Sequence, residues 1–108
     1  MRRGDLVTLA LSSDVGKPRP ALIIQSDQFA GTGSVTVLLL SSARVDAPLI
    51  RLDVEPTPEN GLQRRSQSMM DKPMTVQRER VGEAAFGHLD DSTMVAVNRA
   101  LVVFIGFA

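Results

Sequence analysis

GKPRPALIIQSD (16–27) sets a cation between two prolines directly ahead of an apolar run. Proline fixes its own φ and restricts the residue before it, so Pro20 holds Arg19 extended while Pro18 stiffens the loop. Ala21, Leu22, Ile23 and Ile24 follow without a polar interruption, which reads as a strand from about Pro20 to Gln25 buried on both faces. Working towards the N-terminus, SSDVGKP (12–18) is loop chemistry. DLVTLAL (5–11) alternates, with Val7, Leu9 and Leu11 on one face and Leu6, Thr8 and Ala10 on the other.

Working towards the C-terminus, GTGS (31–34) is a turn and VTVLLLSS (35–42) a third strand. APLIRLDVEP (47–56) reads as a half-buried strand, with Ile50, Leu52 and Val54 pointing one way and Leu49, Arg51 and Asp53 the other. SQSMMD (66–71) is a short strand ending before Lys72-Pro73, because proline removes a ladder donor. TVQRERVGEAAFGHL (75–89) is mixed, a short strand leading into a helical turn. DDSTMVAVNRALVVFIGF (90–107) opens on helix-capping residues, Asp91 or Ser92, and carries Met94, Val97, Leu101 and Phe104 at helical spacing. Its β-branched end leaves a strand open for the last residues. Short strands followed by one helix predict a small, strongly bent sheet or barrel with that helix packed on it, in a single domain spanning 1–108.

Composition narrows the chemistry. Twelve basic residues balance twelve acidic ones among 108, so any polyanion must meet a local basic patch rather than a global field. The absence of cysteine excludes disulfides, thiolate catalysis and cysteine zinc sites, and a single histidine argues against a histidine metal centre. No cofactor or metal is expected. No signal peptide or membrane-spanning run is read, and the expectation is a cytoplasmic protein.

RRGDLVTLAL, GKPRPALIIQSD, VTVLLLSS, NGLQRRSQSMMDKPMTV, FGHLDD and VNRAL occur in the order of landmarks in the MazF/PemK toxins. The chain resembles that family over essentially its whole length. The resemblance implies a mainly β fold, an SH3-like β-barrel of the CcdB/PemK type with a C-terminal helix, acting as a homodimer. It also implies metal-independent cleavage of single-stranded RNA by attack of the ribose 2′-hydroxyl, and neutralisation by an antitoxin whose flexible acidic tail lies across the active site. Arg19 matches the family's arginine and would clamp phosphate or serve as the acid. Ser41 falls where many members carry threonine, and Asp71 matches an acidic residue of one branch and is the candidate base. From the residues alone, Arg19 could equally pair with a surface carboxylate, Ser41 could end a strand, and Asp71 could be a turn aspartate.

Two positions depart from the family pattern. The branch that carries the aspartate has an arginine two residues before it, where this chain has Met69; and the loop before Arg19 is short, with Asp14 its nearest acid. Lys17, Arg44, Arg64 and Lys72 are the expected RNA contacts, with Arg65, Arg78 and Arg80 as further cations. Phe29 is the one candidate for base stacking in a chain without Trp or Tyr. His88 is expected to cap or pack near the C-terminal helix. Two rival readings stand beside the RNase: a CcdB-like gyrase poison, suggested by the aromatic-glycine tail Ile105-Gly106-Phe107, and a degraded toxin that only binds its antitoxin, suggested by Met69.

Overall fold

The structure is a computed structural model that describes residues 1–11 and 17–107. Asp14 and most of the loop ahead of Arg19 lie outside the described residues. Six strands, β1 (Asp5–Leu9), β2 (Arg19–Ile23), β3 (Ser34–Ser41), β4 (Arg51–Val54), β5 (Ser66–Gln77) and β6 (Gly87–His88), precede one helix, α1 (Asp91–Ile105). They form one antiparallel sheet in the order β4-β5-β3-β2-β1-β6. A 3-10 turn over Asp27–Phe29 lies between β2 and β3, and another over Arg78–Arg80 follows β5.

Each central strand buries both faces, as the unbroken apolar runs require. Leu6, Leu22, Leu38, Leu40, Val54 and Met70 pack on one face against Val97 and Leu101 of α1. Val7, Leu9, Ala21, Ile23, Val35, Val37 and Val76 form a second cluster on the opposite face with Val81. The chain beyond β5 curls round to the outer edge of β1: Leu9 bridges Val81, Ala10 N donates to Arg80 O at 2.9 Å, and Gly82 N donates to Thr8 O at 2.9 Å. The expected bent sheet with a packed helix is therefore present, as a curled half-barrel.

Several boundaries move, each for a local reason. Residues 47–50 are a turn rather than strand, because Ala47 O accepts from both Ile50 N (3.0 Å) and Arg51 N (2.8 Å). The expected facing of β4 holds: Leu52 and Val54 meet the helix-side core while Arg51 and Asp53 face away. Strand β5 continues through Pro73 to Gln77 instead of ending at residue 71. Its partner β4 covers only Ser66–Met69, so beyond that point one edge of β5 carries no ladder and a residue without an N–H is tolerated. The helix cap is Asp90, not Asp91 or Ser92: Asp90 alone keeps extended backbone (φ −69°, ψ 163°), and its carboxylate accepts from Thr93 N at 3.2 Å. Those bonds, from the Ser92 hydroxyl first and then from Thr93, lower its pKa to about 2. The β-branched end stays helical up to Gly106, whose φ of 94° closes the helix, its N–H donating to Val102 O and Val103 O. Phe104 does not join the core; it is exposed with Val102, Val103 and Ile105.

Candidate active site

The three candidate catalytic residues come from three neighbouring strands. Ala21 and Ile23 belong to the second apolar cluster, so Arg19, two residues earlier on β2, emerges on that same face. Leu39 also packs there, which puts Ser41 on that face at the end of β3. The β2–β3 register sets Ala21 opposite Leu39 and, continued by two residues, Arg19 across from Ser41. Asp71 pairs with Arg51, which points away from the helix-side core, and so lies on the same side as the other two.

What brings Asp71 there is a break in the ladder. On β3, Leu38 pairs with Pro73 and Leu40 with Ser68, so residues 69–72 of β5 oppose the single residue Leu39. A bulge of this kind leaves its extra residues without ladder partners and re-aims their side chains. Counted forward from Met70 or back from Met74, the in–out alternation disagrees by one, and Asp71 lies where the phase changes. The outcome is an apolar face whose far end turns polar: Arg19, Ser41, Arg51, Asp53, Gln67 and Asp71.

The polar groups have defined partners. Ser41 Oγ accepts from Ala43 N at 3.1 Å, which leaves its hydroxyl proton for another acceptor. Asp71 Oδ1 accepts from Arg51 Nη1 in a close ion pair, while Oδ2 makes no hydrogen bond among the described residues. Arg19 is exposed at the start of β2, with Leu9 as its backbone partner across β1.

Beside these lies an open depression of about 320 Å³ between the 44–48 loop and β4–β5, lined by Arg44, Arg51, Asp53 and Gln67 among others. The loop is stapled by buried Gln67, whose amide accepts from Val45 N and donates to Val45 O, both at 3.0 Å. Gln67 also donates to Asp53 at 3.0 Å; with the charges of Arg44 and Arg65, that bond lowers the Asp53 pKa. The expected RNA-binding cations thus differ in their surroundings. Arg44 is held to Asp53 at 3.3 Å, whereas Lys17, Arg64 and Lys72 are exposed and form no ion pair among the described residues. Arg78 donates to Ala30 O and Thr32 O and so ties down the 30–32 turn, and Arg80 lies beside Ala10. Phe29 is 56% exposed in its 3-10 turn, and His88 is exposed on β6, opposite Asp5 at the sheet edge remote from β4.

Arg51 had no assigned role in the sequence. An arginine on the polar side of an alternating strand is visible there, but its ion pair with a carboxylate twenty residues later exists only through the β4–β5 register. Met69 is the residue directly across from Arg51.

A curled antiparallel sheet packed on one helix, with a cation, a hydroxyl and a carboxylate at one polar end, defines a small half-barrel β domain. The model of the family described as PemK-like, MazF-like toxin of type II toxin-antitoxin systems matches residues 2–105, and the chain belongs to that family. It is 48% identical over 109 residues to the "Probable endoribonuclease MazF" of Mycolicibacterium smegmatis, covering 100% of this chain and 99% of that one. In fold it resembles an endoribonuclease solved with its cognate antitoxin from a mycobacterial species, with a TM-score of 0.80 at 22% identity, covering 100% of this chain and 97% of that one. It also resembles a MazE-MazF structure from Deinococcus radiodurans, with a TM-score of 0.77 at 20% identity over 98% of this chain and 95% of that one.

Proposed function

We propose that this chain is the toxin of a type II toxin–antitoxin pair and an endoribonuclease that cuts single-stranded RNA without a metal, in the cytoplasm, to stop translation and growth. The observation that carries the reading is the convergence of Arg19, Ser41 and Asp71 on one face around the β5 bulge, in a chain of this family. Asp71 takes the proton of the ribose 2′-hydroxyl through Oδ2. The freed oxygen attacks the adjacent phosphorus, the bond to the 5′-oxygen breaks as that oxygen takes up a proton from water, and the products are a 2′,3′-cyclic phosphate and a 5′-hydroxyl. Arg19 grips the non-bridging oxygens as charge builds on them, and its planar fork suits two of them at once. The Ser41 hydroxyl, its oxygen already fixed by Ala43 N, donates to the same phosphate. Lys72 at the bulge, with Lys17 and Arg64, supplies further phosphate contacts; Arg44 does so only by loosening its hold on Asp53.

The partners follow the same reading. An antitoxin with an acidic tail can occupy the cationic face and block RNA. A second copy can cover apolar residues left exposed at the end of α1, Val102, Val103, Phe104 and Ile105. The aromatic-glycine tail that suggested a gyrase poison is the capped end of this helix.

The test is cleavage of a long single-stranded transcript by purified protein in excess EDTA, with the new ends mapped. Cuts bearing 5′-hydroxyls are expected. Activity that EDTA abolishes and magnesium restores rejects the mechanism, and gyrase-dependent DNA breaks with RNA intact reject the substrate.

A further inference from the structure

The Arg51–Asp71 pair is more enclosed than the other ion pairs among the described residues. Its side chains are 13% and 22% exposed, against 40% or more for those joining Arg44 and Arg65 to Asp53 and Glu55. Arg51 enters from β4 in register with Met69, and its Nη1 lies 3.2 Å from the carbonyl of Ile50 as well as against Asp71. Asp71 stands in the bulge, where no regular ladder to β3 orients the backbone. The ion pair is therefore what orients its carboxylate.

We infer that Arg51 is a positioning residue for RNA cleavage: it anchors Oδ1 of Asp71 and so presents Oδ2 to the proton it must accept. The inference rests on the reading of Asp71 as the base. The guanidinium is delivered to Asp71 from the neighbouring strand, across the register rather than along the chain. Long side chains reach a diagonal neighbour across an antiparallel pair, and Arg51 does so from opposite position 69 to position 71.

The test uses the whole chain and a short oligoribonucleotide spanning a mapped cut, with kcat and KM measured separately. Arg51→Met should lower kcat by about 10- to 100-fold, the cost of letting a reacting group wander, with KM nearly unchanged. Arg51→Lys keeps a donor for Oδ1 and should retain most of the activity. The double variant Arg51→Met/Met69→Arg returns a guanidinium to the same face from β5 and should recover much of what Arg51→Met loses. Full activity in Arg51→Met overturns the inference, as does a loss confined to KM, which would make Arg51 an RNA contact. Loss of the folded circular dichroism spectrum in both Met-bearing variants also overturns it, since the pair is then structural. Full activity in Asp71→Asn removes the group Arg51 is said to hold while leaving RNA cleavage intact. A wild-type protein that never cuts RNA refutes the endoribonuclease itself, and the inference with it.

Discussion

Gly87→Ala should destabilise the protein severely although it adds one methyl group. A Cβ at this position would lie 2.2 Å from Asn60 O, 2.4 Å from Asn60 C and 2.8 Å from Glu59 O, all backbone atoms. The turn that carries them cannot swing aside. The Asn60 side chain accepts from Thr57 N (3.0 Å) and Leu62 N (2.9 Å) and donates to Glu55 O (2.8 Å), and Asn60 N donates to the Thr57 hydroxyl oxygen at 3.0 Å. β6 must move instead, straining its pairing with β1 and the 3.0 Å bond from His88 N to Glu59 O. Overpacking together with one weakened hydrogen bond amounts to about 2–4 kcal/mol. For a domain of this size that corresponds to a fall in Tm of about 10–20 °C. The assay is thermal unfolding by circular dichroism at one fixed protein concentration, because self-association makes Tm concentration-dependent. Gly31→Ala is the matched control: nothing lies within 4 Å of its added Cβ, and its φ is outside the left-handed range. There the same substitution only restricts the unfolded chain and should stabilise by about 0.4–1 kcal/mol. Opposite signs are expected. A Gly87→Ala protein melting within about 2 °C of wild type would refute the claim that this approach is rigid.

At the site, Arg19→Lys should cut RNA almost as poorly as Arg19→Ala, about 30- to 1,000-fold below wild type, because lysine keeps the charge but not the two-pronged fork. Both variants should retain the wild-type melting profile, and full cleavage by Arg19→Lys would show that the guanidinium is not the clamp. Asp90 has a folded pKa of about 2 against an ordinary 3.8, so the stability it contributes is complete above the higher value and is lost as pH falls through the lower one. Between pH 4 and 2 wild type should therefore lose stability relative to Asp90→Asn, and parallel acid-denaturation curves would contradict the cap. Ser68 Oγ is fully buried without a hydrogen-bond partner among the described residues, between Leu40 and Leu52 on the adjacent strands. Ser68→Ala should be neutral or stabilise by about 1 kcal/mol in urea unfolding, and a loss of stability would mean the hydroxyl has a partner.

Local pattern determined much of this molecule. The alternation of Val7 with Leu6, the unbroken run from Ala21, and the opposed faces of Leu52 and Arg51 are set by a two-residue period that any pairing of these strands must respect. The 90–107 segment announced a helix because capping residues preceded Val97 and Leu101 at helical spacing, although three consecutive cap-competent residues hid which one serves. Arg19 could be singled out because two prolines restrict the backbone around it.

Tertiary structure decided what depends on register. No local signal says that four residues of β5 will oppose the single residue Leu39, yet that irregularity holds Asp71 without a ladder partner on β3 while β5 runs on through Pro73. Arg51 and Asp71 are twenty positions apart and meet only because Arg51 pairs with Met69. Phe104 fits the helical stripe by spacing but stays exposed, the buried residues of α1 being Val97 and Leu101. Periodicity states which side a residue faces; only the pairing of strands, a long-range choice made by burying both cores together, states what stands opposite it.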